Sequence, residues 1–225
     1  MSEARVGEIE VVRSKSSQLI LQVAGGAIFG ALSTVMAITL KPIIDATRIA
    51  NWGIAMFDPV SWVWIICFLV FGPYAGFISC VTGSFGLLLI DPSGWIGPLF
   101  KFCATIPLII IPYLILKLWE RDTTNSLKLK NPKYYVITGG LSIVFRIIVM
   151  IFMNYLFFIT YWGLENLNYA TLPPFFEIFG LKEITGKTAV LIFTPIINLY
   201  AGVLDLAIPY FLVFGPKLDE KFGFW

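Results

Sequence analysis

Long apolar segments dominate this sequence and are separated by short polar turns. Six of them are candidate spanning helices, at about residues 18–40, 58–71, 74–90, 97–116, 134–161 and 189–214. A helix that crosses a bilayer needs about 20 predominantly apolar residues. Of the 225 residues, 58% are hydrophobic and 13% are charged, whereas a soluble domain is about a quarter charged. The sequence therefore predicts an all-α membrane protein with six transmembrane helices and one integral-membrane domain over residues 1–225.

The basic residues predict how these helices are oriented. If the N-terminus is inside, the inner segments hold Arg5, Arg13, Lys15, Lys117, Arg121, Lys128, Lys130, Lys133, Lys217 and Lys221. The outer loops then hold only Lys41, Arg48, Lys182 and Lys187. Loops on the cytoplasmic side of a membrane carry an excess of Lys and Arg. We therefore expect both termini to be cytoplasmic.

Several kinds of chemistry are disfavoured by the composition. The chain has no histidine, which removes Ser–His catalysis and His metal sites. Its three cysteines lie in apolar segments with no metal-binding spacing. Residues Gly180 to Thr188 look like a phosphate loop. A true phosphate loop has four residues between its first Gly and Gly-Lys-Ser/Thr, whereas here five residues separate Gly180 from Gly186. We expect no enzymatic activity, no cofactor or metal, and no nucleic-acid binding.

Three polar residues inside the apolar segments point to a ligand pocket. From the helical rise, Asn198, Asn154 and Lys101 lie roughly 14, 10 and 6 Å below the outer ends of their spans. Converging polar groups in an apolar setting are typical of a small-molecule site. Rings that could stack on a ligand are supplied by Phe57, Trp95, Tyr155, Tyr161 and Trp162. Alternatively, each amide bonds nearby backbone or another helix, and Lys101 extends towards the headgroups.

Arg146 and Asp205 lie deeper, in the fifth and sixth predicted spans. An unpaired charge is costly in lipid, so we expect the two side chains to lie near each other or to meet other partners. We interpret them as a structural ion pair rather than as ligand-binding groups.

The segments around the second predicted span carry recognisable start and turn signals. Asp58-Pro59 is a typical helix start, and Gly72-Pro73 predicts a tight turn into the third span. The apolar stretch Trp52 to Phe57 precedes that start, so it either lies along the membrane interface or folds over a cavity.

Small residues in the first span allow close helix approach. Gly26, Ala27, Gly30 and Ala31 follow a pattern with small residues four apart. Such a face contacts either a partner subunit in the membrane or another helix of the same chain.

Several phrases resemble one family of membrane proteins. Phe71-Gly-Pro-Tyr-Ala-Gly76 and Gly94-Trp-Ile-Gly-Pro-Leu-Phe-Lys-Phe102 are similar to the turn after the second helix and the entry to the fourth helix in substrate-binding S components of energy-coupling factor (ECF) vitamin transporters. The stretches from Arg146 to Tyr155 and from Pro195 to Gly202 resemble the fifth and sixth helices of the riboflavin-binding members.

This resemblance implies a function and a set of partners. It implies a high-affinity binding subunit for riboflavin or a flavin-like vitamin in a prokaryotic plasma membrane. A transmembrane scaffold, contacted through Ala27 and Ala31, and two cytoplasmic ATPases would complete the importer. The segment Trp52 to Phe57 would be a lid. Ala201 stands where the riboflavin binders have a ligand-binding lysine, so another vitamin or a nucleobase-like compound remains open, as does a membrane scaffold without a ligand.

Overall fold

The computed structural model describes residues 15–49, 52–119, 127–157, 172–179, 184–218 and 221, and these are helical almost throughout. Their helices are α1 (Lys15–Thr39), α2 (Lys41–Ala46), α3 (Val60–Phe71), α4 (Pro73–Leu87), α5 (Ile96–Trp119), α6 (Leu127–Lys130), α7 (Pro132–Tyr155) and α8 (Gly186–Phe214), with a 3₁₀ helix over Pro174–Phe179. No β-strand is found in this part of the chain, where one antiparallel bridge joins Arg48 to Ala55.

Four helices are long and apolar enough to cross a bilayer. They are Ser17–Thr39 within α1, together with α5, α7 and α8. Four such helices confirm the prediction of an all-α, multi-pass membrane protein. The second and third predicted spans coincide with α3 and α4, which have 12 and 15 residues. At about 1.5 Å per residue these two helices are short for a bilayer, so the count of six spans stays a prediction.

Helix α3 is the central helix of the bundle. It packs against α1, α4, α5 and α8, and most of its side chains are buried. Trp64 is fully buried and its Nε1 donates a hydrogen bond to Ser33 Oγ at 2.8 Å. A helix that is apolar all round lies either in a protein core or in a membrane. The packing of four neighbouring helices around α3 places it inside the bundle rather than against lipid.

The outer surface of the other helices is apolar. Phe85 on α4, Val136 on α7 and Phe211 on α8 are 67%, 70% and 70% exposed, and many other large hydrophobic residues on α1, α5, α7 and α8 are exposed as well. Soluble monomers rarely expose apolar patches of this extent. The surface is therefore suited to contact with lipid.

The turn between α3 and α4 forms at Gly72, as the sequence predicts. Gly72 has φ 100° and ψ 179°, a conformation that is open essentially to glycine alone. Pro73 then occupies the first position of α4, where a missing N–H costs nothing. The two helices consequently fold back on each other without an intervening loop.

Half of the small-residue face of α1 is used inside the chain. Gly26 and Gly30 are buried against α4, whereas Ala27 and Ala31 are exposed. A Cβ at Gly30 would lie 2.6 Å from the Cβ of Thr82 and 3.0 Å from the carbonyl oxygen of Ser79. Close packing of α1 on α4 therefore explains why residues 26 and 30 are glycines. Of the four small residues, only Ala27 and Ala31 are exposed.

We predict that Gly30→Leu destabilises the protein, because the new side chain would force α1 away from α4. Overpacking of this kind typically costs about 1–3 kcal/mol. Thermal unfolding in detergent should show a lower midpoint for Gly30→Leu and an unchanged midpoint for the matched variant Ala31→Leu. Equal midpoints for the two variants would contradict the close packing of α1 on α4.

Candidate functional site

A cavity of about 480 Å³ lies where α1, α4 and α7 end and α3 and α5 begin, and it extends to the middle of α8. Its wall includes Ala37, Leu87, Ala104, Met150, Ile197 and Leu204 together with a smaller number of polar and charged side chains. Small-molecule pockets typically enclose roughly 300–1,000 Å³ and combine an apolar lining with a few polar groups. The cavity has the size and composition of such a site.

The loop between α2 and α3 forms one wall of the cavity. Trp52, Gly53, Ile54, Ala55 and Met56 all line it. The loop folds back on itself, since Ile49 N donates to Ile54 O at 2.8 Å and Met56 N donates to Thr47 O at 3.0 Å. The ring of Trp52 also packs on Phe193 of α8, with centroids 4.5 Å apart. The sequence leaves open whether Trp52 to Phe57 lies along the membrane interface or folds over a cavity. The structure places this segment against the cavity.

Arg48 fastens this loop to α2. Its guanidinium donates to the carbonyl oxygen of Gly53 and lies 3.1 Å from the carboxylate of Asp45, which also pairs with Lys41 at 3.3 Å. The hydrogen bond from Arg48 lowers the pKa of Asp45, and Lys41 adds to this effect while desolvation opposes it. A lowered pKa means that Asp45 stabilises the fold at neutral pH and that this contribution is lost as the pH falls through that pKa.

A buried polar network lies against the cavity and contributes Arg146, Asn198 and Asp205 to its wall. Arg146 Nη1 donates to Asp205 Oδ2 at 2.6 Å, and Arg146 Nε donates to Asn198 Oδ1 at 3.0 Å. The other carboxylate oxygen of Asp205 accepts from Ser61 Oγ at 2.6 Å. All four residues are buried. The network therefore joins α3, α7 and α8 and contains the expected pair of Arg146 and Asp205.

The two asparagines line the cavity and also bond to their own helices. Asn198 Nδ2 donates to Thr194 O at 2.9 Å, and Asn154 Nδ2 donates to Met150 O at 2.7 Å. The amide of Asn198 has therefore used both ends, because its oxygen already accepts from Arg146. The sequence leaves open whether these asparagines line a pocket or bond to nearby backbone. In the structure both asparagines do both.

Lys101 lines the cavity from α5 and pairs with Asp58 at the start of α3. Its Nζ contacts the Asp58 carboxylate and lies 3.4 Å from the Asp58 carbonyl oxygen. Asp58 Oδ1 also accepts from Val60 N at 3.2 Å, close to the helix-start role that its sequence predicts. Lys101 is therefore turned towards a protein partner rather than towards the headgroups.

Three of the ring residues singled out in the sequence, Phe57, Trp95 and Tyr155, do not line the cavity. Phe57 packs edge-on against Trp62 at 5.2 Å, and Trp95 packs on Phe157 at 5.5 Å and is 46% exposed. Tyr155 is half-buried and is not among the residues that line the cavity. Among the described residues, the rings that do line the cavity are those of Trp52, Trp62 and Phe100. Tyr161 and Trp162 fall outside the described residues.

Sequence reasoning missed several polar residues of the site. Asp58 and Ser61 were not expected there, nor were Asp45 and Arg48 in the α2 region. The available signal was the need of each membrane-embedded charge for a partner, which applies to Lys101 as it does to Arg146. Within the described residues, no three His, Cys, Asp or Glu side chains form a possible metal site.

Comparison with protein families, curated proteins and solved structures gives no match to this chain. We therefore infer function from the cavity, from the network behind it and from the resemblance of the sequence phrases.

We predict that Arg146→Met and Asp205→Leu are each strongly destabilising, because each leaves the other charge buried without its partner. Breaking a buried pair typically costs about 3–5 kcal/mol, whereas replacing both partners by apolar residues is often close to neutral. Chemical unfolding of the two single variants and the double variant should show the double variant to be more stable than either single one. Additive losses in this cycle would contradict the pairing.

Proposed function

We propose that this chain is the substrate-binding subunit of an ECF-type vitamin importer, with riboflavin or a related flavin-like vitamin as its ligand. The observation that carries this proposal is the cavity itself, which is lined by Asn154, Asn198 and Lys101 together. The proposal includes six spans, two cytoplasmic termini and a prokaryotic plasma membrane.

The distribution of charge supports an outward-facing cavity. At the opposite end of the bundle, near the end of α5, α6, the start of α7 and the end of α8, lie Lys117, Lys128, Lys130, Lys133, Lys217 and Lys221. Lysine accumulates on the cytoplasmic side of membrane proteins. The cavity therefore lies at the end that the rule assigns to the outside, where a binding subunit would capture its ligand.

The position of Ala201 bears on which ligand is bound. Ala201 lines the cavity, at the place where the resembling phrase of riboflavin binders has lysine. Lys101 does not supply a free ammonium in its stead, because it pairs with Asp58. A flavin would accordingly be held by amide and guanidinium groups, with apolar and ring contacts from the wall.

The exposed part of the α1 face is the proposed docking surface for the transmembrane scaffold. Ala27 and Ala31 are exposed on α1, as is Ala24, and they carry small side chains. Small residues allow the close helix approach that drives association in lipid. The scaffold would in turn be energised by two cytoplasmic ATPase subunits.

A membrane scaffold without a ligand is the second candidate, and a specific observation favours it. Both asparagine amides donate back to their own helices, and Asn198 accepts from Arg146 as well. Polar groups used in this way can serve helix packing alone. Binding experiments separate the two functions. They also distinguish riboflavin from another vitamin or a nucleobase-like compound as the ligand.

We predict that the purified protein binds riboflavin and that Ala201→Phe abolishes this binding by filling the cavity. Titration followed by quenching of flavin fluorescence should show at least about a hundredfold loss, on the scale of about 3 kcal/mol for an overfilled site. The matched variant Val203→Phe places the same ring on the exposed face of α8 and should bind as the wild type does. Equal affinity in all three proteins would place the ligand elsewhere.

We also predict that replacing Ala27 and Ala31 together by Leu blocks uptake into cells but spares binding. The larger side chains would hold the scaffold helix away from α1. Uptake of labelled riboflavin should fall to background in this variant and stay normal in Gly140→Leu, which adds the same side chain at an open, exposed position of α7. Normal uptake by the Ala27/Ala31 variant would mean that the scaffold docks on another surface.

A further inference from the structure

The charges that line the cavity balance one another among the described residues. The cations are Lys41, Arg48, Lys101 and Arg146, and the carboxylates are Asp45, Asp58, Asp91 and Asp205. Each of the four cations is in an ion pair with one of these carboxylates, and Asp91 accepts a hydrogen bond from Ser93 N at 2.8 Å. A charged ligand would therefore bring an uncompensated charge into a mostly apolar space, which is costly.

Arg146 keeps hydrogen-bonding capacity that the protein does not use. A guanidinium has five N–H donors, and here one on Nε is given to Asn198 and one on Nη1 to Asp205. Its Nη2 makes no hydrogen bond to any described residue, although the side chain is only 7% exposed. Because Arg146 lines the cavity, these remaining donors are available to an acceptor inside it. Its charge, in contrast, is already neutralised by Asp205.

Asn154 supplies the complementary group further along the same helix. Its Oδ1 accepts no hydrogen bond from the described residues, since only Nδ2 is used, and the side chain is buried at the cavity wall. Arg146 and Asn154 are eight residues apart on α7, which corresponds to about 12 Å along the helix axis. Met150 lies between them and also lines the cavity. The wall thus presents a donor and an acceptor separated by an apolar stretch.

We propose that the cavity selects an uncharged, elongated ligand that carries a hydrogen-bond acceptor near one end and a donor near the other. Arg146 Nη2 binds the acceptor, and Asn154 Oδ1 binds the donor. The inference rests on the proposed function, in that the cavity must bind a small molecule, and it deepens that function by naming the ligand class. It also gives Arg146 a binding role in addition to its structural one.

The ligand class is tested with three probes on the full-length protein in detergent. Riboflavin is uncharged and elongated, riboflavin 5′-phosphate has the same ring system with an anionic group, and uracil is an uncharged single ring. We expect riboflavin to bind at least about tenfold more tightly than its phosphate, and uracil more weakly than either. Calorimetric titration measures all three under identical conditions.

Variants test the two binding groups separately. Asn154→Leu removes the acceptor and should weaken riboflavin binding about tenfold. The matched control Ser142→Ala also removes a side-chain bond to the carbonyl four residues earlier on α7, but at a position away from the cavity, and should not change binding. Asp205→Asn leaves the Arg146 charge uncompensated and should shift the preference towards the phosphate by about tenfold or more.

Each outcome decides the inference. Equal affinity for riboflavin and its phosphate, or tight binding of uracil, would overturn the proposed ligand class while leaving a binding function in place. Unchanged riboflavin affinity in Asn154→Leu would overturn the two-ended contact in the same way. If Asp205→Asn fails to fold, the probe comparison and Asn154→Leu still decide. Wild-type protein that binds none of the three probes would overturn both the inference and the proposed flavin ligand.

Discussion

The buried pair of Arg146 and Asp205 is the interaction on which the rest of the structure depends. Charges inside an apolar bundle are stable only with partners, and the 2.6 Å contact between α7 and α8 supplies that partner. Ser61 connects the pair to α3, the enclosed central helix, and Asn198 holds the guanidinium on its other side. This network brings three helices to one point and leaves polar atoms facing the space above it. The same polar network therefore connects the helices of the fold and forms part of the wall of the candidate site.

Much of the fold could be predicted because the membrane imposes strong rules on sequence. The long helices α1, α5, α7 and α8 match predicted spans within a few residues where the structure describes them, since a backbone in lipid must satisfy its own hydrogen bonds. The turn at Gly72 was predictable because Gly followed by Pro marks a turn, and the structure shows a backbone conformation there that suits only glycine. The closeness of Arg146 and Asp205 followed from the cost of isolated charges.

The details of the site were harder to predict because they depend on how helices rotate and how loops return. Phe57 and Trp95 are aromatic and near the correct end, yet both pack on neighbouring rings away from the lining. The partner of Lys101 is Asp58, which comes from a loop more than forty residues earlier in the chain. On α1, adjacent small residues differ in direction by about 100° around the helix axis, so that Gly30 meets α4 while Ala31 is exposed. Tertiary packing, not local pattern, decides such orientations.

We propose above all that the cavity holds a small uncharged molecule. Native mass spectrometry of the protein purified in mild detergent tests this most directly. We expect a bound species with the mass of a flavin or a similar uncharged ring compound, present at one per chain and absent from Ala201→Phe. Protein that carries no small molecule, and takes up none when riboflavin is added, would contradict it and favour the scaffold function.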